Sequence, residues 1–306
     1  MDQIKNHPLY RRHNLDTIMS SLWEFYRKNF VPLFVISLVL SFISQIASTM
    51  IDLKEIQSMT DPELMLAKMK EFMVPGIIVV LISLFFNTVL QHYIIHRPID
   101  EGHNVLKSLI SAFRYYFPFI VIMILFAFIG AIGMVLGVLA LVIGAFFVAL
   151  YLLTLYLFIL PVMMVEGPDI GHTISRTFSL AHRNFWNNLG QVAVFLIIMI
   201  VISIVLSSII MLPFAGSFLK NIFHPGEAAI TDVYKNPVFI ILSSLAGALT
   251  MPLLPILACM LYFNAIAQED DAATIISKTE EYRPTIDDLY SRPKDDESRN
   301  DGQPVS

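Results

Sequence analysis

One apolar stretch constrains the fold of this chain more than any other feature. Between Phe117 and Val165 there is no Asp, Glu, Lys or Arg in 49 residues. A single helix of that length would be more than twice the roughly 20 residues that cross a bilayer. The chain must therefore fold back inside this stretch, and the four glycines near its middle are residues that permit a turn. The sequence predicts two membrane-spanning helices here, at about 117–137 and 143–165.

Four further apolar stretches have the length of a membrane span. Hydrophobic residues make up 56% of the 306 residues and charged residues only 15%, a balance that a water-soluble domain of this size cannot bury. The predicted fold class is all-α, a polytopic membrane protein with six transmembrane helices. The remaining four are predicted at about 30–50, 75–95, 189–211 and 238–267, the last kinked at Pro252 and Pro255.

Lysine and arginine are unevenly divided between the two sides of the membrane that six crossings define. Ten lie on the side that holds both termini, before the C-terminal tail is counted, and five lie on the other side. Because loops rich in Lys and Arg stay in the cytoplasm, both termini are predicted to be cytoplasmic. We expect no cleavable signal peptide, since the first 30 residues are polar and charged.

The segments that precede the first, third and fifth predicted spans share a pattern. Each ends with an arginine followed three residues later by an aromatic residue, and apolar residues before the arginine recur at spacings of four and three. This spacing places the apolar residues on one face of a helix. The sequence therefore predicts three copies of an amphipathic helix on the cytoplasmic surface. The arginine and aromatic pairs are Arg27 with Phe30, Arg114 with Phe117, and Arg183 with Trp186.

The copies divide the chain into three repeat units, each an amphipathic helix followed by a transmembrane hairpin. The units are 14–100, 101–168 and 169–267, preceded by a polar N-terminal segment, 1–13, and followed by an acidic tail, 268–306. From Glu269 to the C-terminus there are eleven acidic and five basic residues, a net charge of −6. That composition is typical of disorder, so the tail is predicted to be a disordered cytoplasmic segment.

The polar faces of the amphipathic segments supply candidate contacts to lipid headgroups. A basic residue near an anionic leaflet gains about 1 kcal/mol, and an aromatic residue at the end of the segment fits the interfacial belt. Glu166 lies at an acidic-glycine junction, as Glu101 does, and is expected to pair with an arginine such as Arg176 or to act as a structural hinge. The candidate contacts are Arg27, Lys107, Arg114, Glu166, Arg176, Arg183 and Trp186.

Polar residues inside the spans form a second candidate set. Ser41 and Gln45 share a helical face, as do Asn87 and Gln91, so a polar seam is predicted between the first two spans. His92 and His96 are spaced so that both could bind a metal, but no third ligand is evident. No metal or other cofactor is therefore expected. The candidate seam residues are Gln45, Asn87, Gln91, His92, His96 and Asn264.

Three features resemble a bacterial family of membrane domains related to the glycerophosphoryl diester phosphodiesterase membrane domain. They are the segment LPVMMVEGPDIGHTISRTFSLAHRNFW, the repeat of amphipathic and apolar segments, and the ending LYFNAIAQED. The resemblance covers about residues 14–270 and implies a six-helix protein of the bacterial cytoplasmic (inner) membrane. In some members a separate phosphodiesterase barrel carries the catalysis. The 38 residues from Glu269 to Ser306 cannot hold such a barrel, so catalysis is not expected to carry over.

These observations favour a non-enzymatic membrane module that binds lipid headgroups or a partner protein. Membrane lipids with anionic headgroups are the expected partners, a protein partner is possible, and no nucleic acid is expected. The alternative is a transporter or channel for a small or lipophilic solute, which the repeat favours and the lack of charge within the spans disfavours. A third hypothesis is an enzyme that acts on lipid headgroups through His92, His96 and Glu166. The oligomeric state does not follow from the sequence.

Overall fold

Helices make up nearly all of the described part of the chain. The computed structural model describes residues 2–49, 61–139, 141–216, 233 and 235–281, and these residues include no strand. Six helical segments in them are long and apolar enough to cross a membrane. The predicted all-α polytopic membrane fold is therefore confirmed, and the chain is an integral, multi-pass membrane protein.

The described residues form nine α-helices. In chain order they begin with α1 (Leu15–Lys28), α2 (Phe30–Thr49), α3 (Pro62–His96), α4 (Val105–Leu139) and α5 (Leu141–Glu166). They continue with α6 (Ile170–Arg183), α7 (Phe185–Met211), α8 (Pro237–Thr250) and α9 (Leu253–Glu281), and 3₁₀ turns lie at Asp2–Asn6 and Leu212–Phe214.

The helix of the second span begins well before the predicted start near residue 75. Asp61 caps α3 by accepting a hydrogen bond from the backbone N–H of Glu63 at 2.9 Å, and Pro62 occupies the first turn. Pro75 lies inside α3 and does not end it. A proline inside a membrane helix is tolerated because neighbouring groups can satisfy the freed backbone.

The first and third amphipathic copies form separate helices, whereas the second does not. Asn29 ends α1 and Asn184 ends α6, both with backbone angles outside the helical region. Asparagine favours such breaks because its side chain competes with the backbone for hydrogen bonds. The second copy has Tyr115 and Tyr116 at this place, and α4 continues through them into the third span.

The sixth span is interrupted where the prolines predict a kink. Its helix stops at Thr250 and resumes at Leu253, with Met251 and Pro252 in a turn. The resumed helix, α9, continues to Glu281, so residues 268–281 of the predicted disordered tail are helical. The rest of that tail, 282–306, lies outside the described residues.

Buried side chains are concentrated at one end of the spans. This end, called here the basic end, is where α3 and α5 finish, where α2, α4 and α7 begin, and where Lys28 and Arg97 flank the spans. Every residue from Ile256 to Phe263 is almost completely buried, which makes this part of α9 the centre of the core. Toward the other end, side chains such as Phe128 (70% exposed) leave an apolar surface that suits lipid.

Candidate functional site

The carboxylate of Glu166 lies at the basic end and accepts hydrogen bonds from three side chains. Arg176 Nε lies 3.0 and 3.1 Å from its two oxygens, His172 Nε2 lies 2.9 Å from Oε2, and the Tyr262 hydroxyl lies 3.0 Å from Oε1. The Glu166 side chain is only 6% exposed. The predicted pairing of Glu166 with Arg176 is confirmed. These contacts tie the end of α5 to α6 and α9.

The residues after Glu166 set the direction of α6. Gly167 has a φ of +120°, a conformation that residues with a Cβ rarely adopt. Asp169 then caps α6, because its carboxylate accepts the backbone N–H of His172 at 2.6 Å. The similar junction at Glu101 is built differently, since Glu101 is exposed and pairs with no residue that the structure describes.

Three histidine rings meet at the end of α3. His92 and His96 stack with centroids 4.0 Å apart, and the ring of His103 lies 5.2 Å from the first and 5.7 Å from the second. The hydroxyl of Ser108 lies 2.8 Å from His103 Nε2 and 3.4 Å from His92 Nδ1. Burial, with the charge of His96 as a smaller cause, lowers the pKa of His103. In the described part of the chain, no three His, Cys, Asp or Glu side chains are arranged to hold a metal ion.

The N-terminal segment is packed into the basic end. His7 is 2% exposed, its Nε2 lies 3.1 Å from the carbonyl oxygen of Ile94, and its ring lies 4.6 Å from that of Phe263. The backbone N–H of His13 donates to Asn264 Oδ1 at 3.0 Å. Burial is the main cause that lowers the pKa of His7 to about 4. The described part of the predicted polar segment, residues 2–13, therefore belongs to the packed structure.

This segment forms one wall of a cavity of about 590 Å³, called here the basic-end cavity. The other walls come from α1 and from the residues that follow α3. Its volume lies within the roughly 300–1,000 Å³ of typical ligand pockets. Apolar lining comes from Leu9 and Phe25, among others. The charged lining consists of Arg11, Glu24, Lys28, Arg97 and Glu101.

None of these five charged residues forms an ion pair with a residue that the structure describes. Arg11 donates a hydrogen bond to the buried hydroxyl of Ser21, which holds its guanidinium beside the cavity. Lys28 directly precedes Asn29 and the first span, and Arg97 directly follows the second span. The cavity therefore lies where the first span begins and the second span ends, a place where basic residues typically face lipid headgroups.

The predicted headgroup contacts do not form one site. Lys107 donates to the carbonyl of Gly102 at 2.9 Å, and the guanidinium of Arg114 lies 5.9 Å from the ring centre of Tyr115. Arg176 and Glu166 bind each other. Arg27, Arg183 and Trp186 are exposed, Trp186 by 77%, and none of them lines the basic-end cavity.

The predicted polar seam is divided by the structure. Asn87 Nδ2 donates to the Tyr156 hydroxyl at 2.5 Å, and Gln91 Nε2 donates to Cys259 Sγ at 2.9 Å, so the seam joins α3 to α5 and α9. The expected seam between the first two spans is wrong, because α2 turns the face of Ser41 toward Gly247 on α8. Of the other candidates, Gln45 is half-buried on α2, His92 and His96 belong to the histidine group, and Asn264 binds His13.

In the sequence, Arg11, Lys28 and Arg97 serve only as evidence of orientation, and none of them is predicted to be a site residue. A local signal was present, because Glu24 stands four residues before Lys28 and Arg97 stands four residues before Glu101. Residues at this spacing share one side of a helix or helical turn. Nothing in the sequence indicated that these two pairs, and the N-terminal segment, meet at one cavity.

Comparison of this chain with family models, with curated proteins and with solved structures gave no match. The family resemblance stated from the sequence stays a prediction.

Proposed function

We propose that this protein is a non-enzymatic membrane module that binds phospholipid headgroups in the basic-end cavity. The observation that carries the proposal is the group of three cations, Arg11, Lys28 and Arg97, which line one cavity at headgroup depth and form no ion pair with described residues. Guanidinium and ammonium groups are the usual partners of phosphate oxygens. A lipid phosphate would supply the negatively charged partner that these three cations do not have among the described residues.

The proposal includes an orientation and a location. The excess of Lys and Arg on the side of both termini supports a cytoplasmic location for the basic end. The headgroup would then belong to the inner leaflet of a bacterial cytoplasmic membrane, where anionic lipids attract basic residues. The repeat of amphipathic segments supports the same picture, since α1 carries one such segment and forms a wall of the cavity.

The enzyme hypothesis receives less support than lipid binding. Glu166, one of its three named residues, is held by Arg176, His172 and Tyr262, contacts that suit a structural role.

Native mass spectrometry of the purified full-length protein tests the proposal. Retained phospholipid is expected in mild detergent, and Lys28→Gln or Arg97→Gln should lower its occupancy by about tenfold, as expected for loss of one charge-assisted contact. Arg27→Gln is the matched control, because Arg27 neighbours Lys28 on α1 but does not line the cavity. Equal losses from Arg27→Gln and Lys28→Gln would argue for general surface attraction and against the cavity.

A path for a lipophilic solute is the second candidate, and one observation favours it. A cavity of about 280 Å³ lies within the spans beside the interruption of the sixth span, with Asn87, Tyr156 and Met251 in its lining. Flux into liposomes that Asn87→Leu leaves unchanged would remove this cavity from consideration. If Asn87→Leu lowers the flux while the basic-end cavity keeps its bound lipid, the result would favour a transporter over a binding module.

A further inference from the structure

The two carboxylates of the basic-end cavity are as informative as its three cations. A site for an anion alone has no use for Glu24 and Glu101, because negative charge in the lining repels a phosphate. Both side chains are exposed, and neither pairs with a residue that the structure describes. Both therefore remain able to bind a positively charged group.

Each carboxylate also has a cation nearby in sequence with which it does not pair. Glu24 and Lys28 have the spacing and order that favour an ion pair along a helix, yet no such pair forms on α1. Arg97 and Glu101 have the same spacing after α3, and they too remain apart. All four line the same cavity, so each cation and each carboxylate keeps its charge available to a bound molecule.

We infer that the basic-end cavity selects a headgroup that carries both a phosphodiester and a primary ammonium, which is the chemistry of an aminophospholipid. The three cations bind the phosphodiester oxygens, and the two carboxylates accept hydrogen bonds from the ammonium. This inference rests on the proposed function and adds the chemical class of the ligand. It also predicts that two other common phospholipids bind to the cavity more weakly.

These two phospholipids separate the contributions of charge and of hydrogen bonding to headgroup binding. Phosphatidylglycerol has the phosphodiester but no cation, so it would leave both carboxylates unmatched. Phosphatidylcholine has a cation without N–H groups, so it cannot donate hydrogen bonds to Glu24 or Glu101. Phosphatidylethanolamine has the phosphodiester, the positive charge and three N–H donors.

The experiment is competition among these three lipids, with identical acyl chains, for the delipidated full-length protein, followed by native mass spectrometry. Phosphatidylethanolamine is expected to exceed each competitor by about tenfold, the difference that one charge-assisted contact makes. Glu24→Gln and Glu101→Gln should remove this preference and leave binding of phosphatidylglycerol equal or stronger. Glu63→Gln, an exposed carboxylate at the start of α3, is the matched control and should change nothing.

The outcomes separate failure of the inference from failure of the proposed function. If phosphatidylglycerol binds as well as phosphatidylethanolamine and Arg97→Gln weakens both, the cavity binds phosphate without reading the amine, and only the inference is overturned. If no lipid shows a dependence on Arg97 or Lys28 while the variants keep the wild-type melting temperature, both proposals are overturned. A preference for phosphatidylethanolamine that persists in Glu24→Gln and Glu101→Gln also overturns the inference.

Discussion

At the scale of single residues, Glu166 illustrates how a charged side chain stabilises the basic end. Its carboxylate is almost fully buried and accepts hydrogen bonds from Arg176, His172 and Tyr262, so its loss weakens three contacts at once. Glu166→Gln should lower the free energy of unfolding by about 3 kcal/mol, measured by reversible unfolding in mixed micelles. The amide keeps the size of the side chain but removes the charge that Arg176 requires.

Glu101→Gln provides the matched control for this prediction. Glu101 stands at the equivalent acidic-glycine junction but is exposed, and in the described residues it has no ion-pair partner. Its replacement should change the unfolding free energy by less than about 0.5 kcal/mol. Similar losses from both variants would mean that charge at the junction matters and that the contacts of Glu166 do not.

The buried imidazole of His7 makes the stability of the protein depend on pH. In its neutral form Nε2 donates to the Ile94 carbonyl and Nδ1 accepts the N–H of Leu9, so both nitrogens are satisfied. Burial lowers its folded pKa to about 4 from the ordinary 6.5, and burial also lowers the pKa values of His13 and His103. The unfolded chain binds the proton more tightly than the folded chain does. The contribution of His7 to the free energy of unfolding is therefore complete above pH 6.5 and is lost as the pH falls toward 4.

The loss from His7 alone reaches about 3 kcal/mol at the acidic end of this window. His7→Gln should lower stability at pH 7.5 yet reduce the difference between the unfolding free energies at pH 7.5 and pH 4.5. A His7→Gln protein with the full wild-type pH dependence would show that other groups cause it.

At the scale of helices, the contact between α2 and α8 depends on a missing side chain. A Cβ at Gly247 would overlap the Ser41 hydroxyl and would lie 3.2 Å from the Ser41 Cβ. Gly247→Ala should therefore reduce the unfolding free energy by about 1–3 kcal/mol through overpacking. The double variant Gly247→Ala with Ser41→Gly should recover part of that loss, because the obstructing side chain is gone.

Gly76→Ala is the control for the effect of alanine on helix propensity. Gly76 lies inside α3, and a Cβ there would meet nothing within 4 Å. Alanine should be neutral or stabilising at this position by up to about 1 kcal/mol. A stabilising Gly247→Ala would show that α2 and α8 lie further apart than the structure has them.

The helices differ in how much of their structure the sequence reveals. Six spans follow from apolar length and charge, because each span satisfies its own backbone and needs no partner to be recognised. Their ends are harder to place, because continuation depends on single residues: asparagine ends α1 and α6, while α4 runs on through Tyr115 and Tyr116. The interruption at Pro252 was predictable, since proline removes a backbone donor.

The candidate site was only partly predictable for a different reason. Glu166 and Arg176 are ten residues apart, so their pairing was within reach of local reasoning. The contact between His7 and Ile94 joins residues 87 positions apart, and the one between His13 and Asn264 joins residues 251 positions apart. No periodic pattern marks such pairs. The cavity that depends on them therefore appears only when the chain is folded.

At the scale of the whole molecule, the proposed lipid binding depends on which leaflet the basic end faces. Three spans separate Glu63 from Ser179, so the two residues must lie on opposite sides of the membrane. Both side chains are exposed, and the only native cysteine, Cys259, is buried. Single cysteines introduced by Glu63→Cys and Ser179→Cys therefore report orientation through a maleimide that cannot cross membranes.

In intact bacterial spheroplasts, the Glu63→Cys protein should react with this maleimide and the Ser179→Cys protein should react only after lysis. This is the outcome expected when the side richer in Lys and Arg is retained in the cytoplasm. The reverse labelling would move the basic-end cavity to the outer leaflet and would change which lipids can reach it. Labelling of both proteins in intact spheroplasts would contradict three crossings between the two sites, and with them the six-span topology on which the depth of the cavity depends.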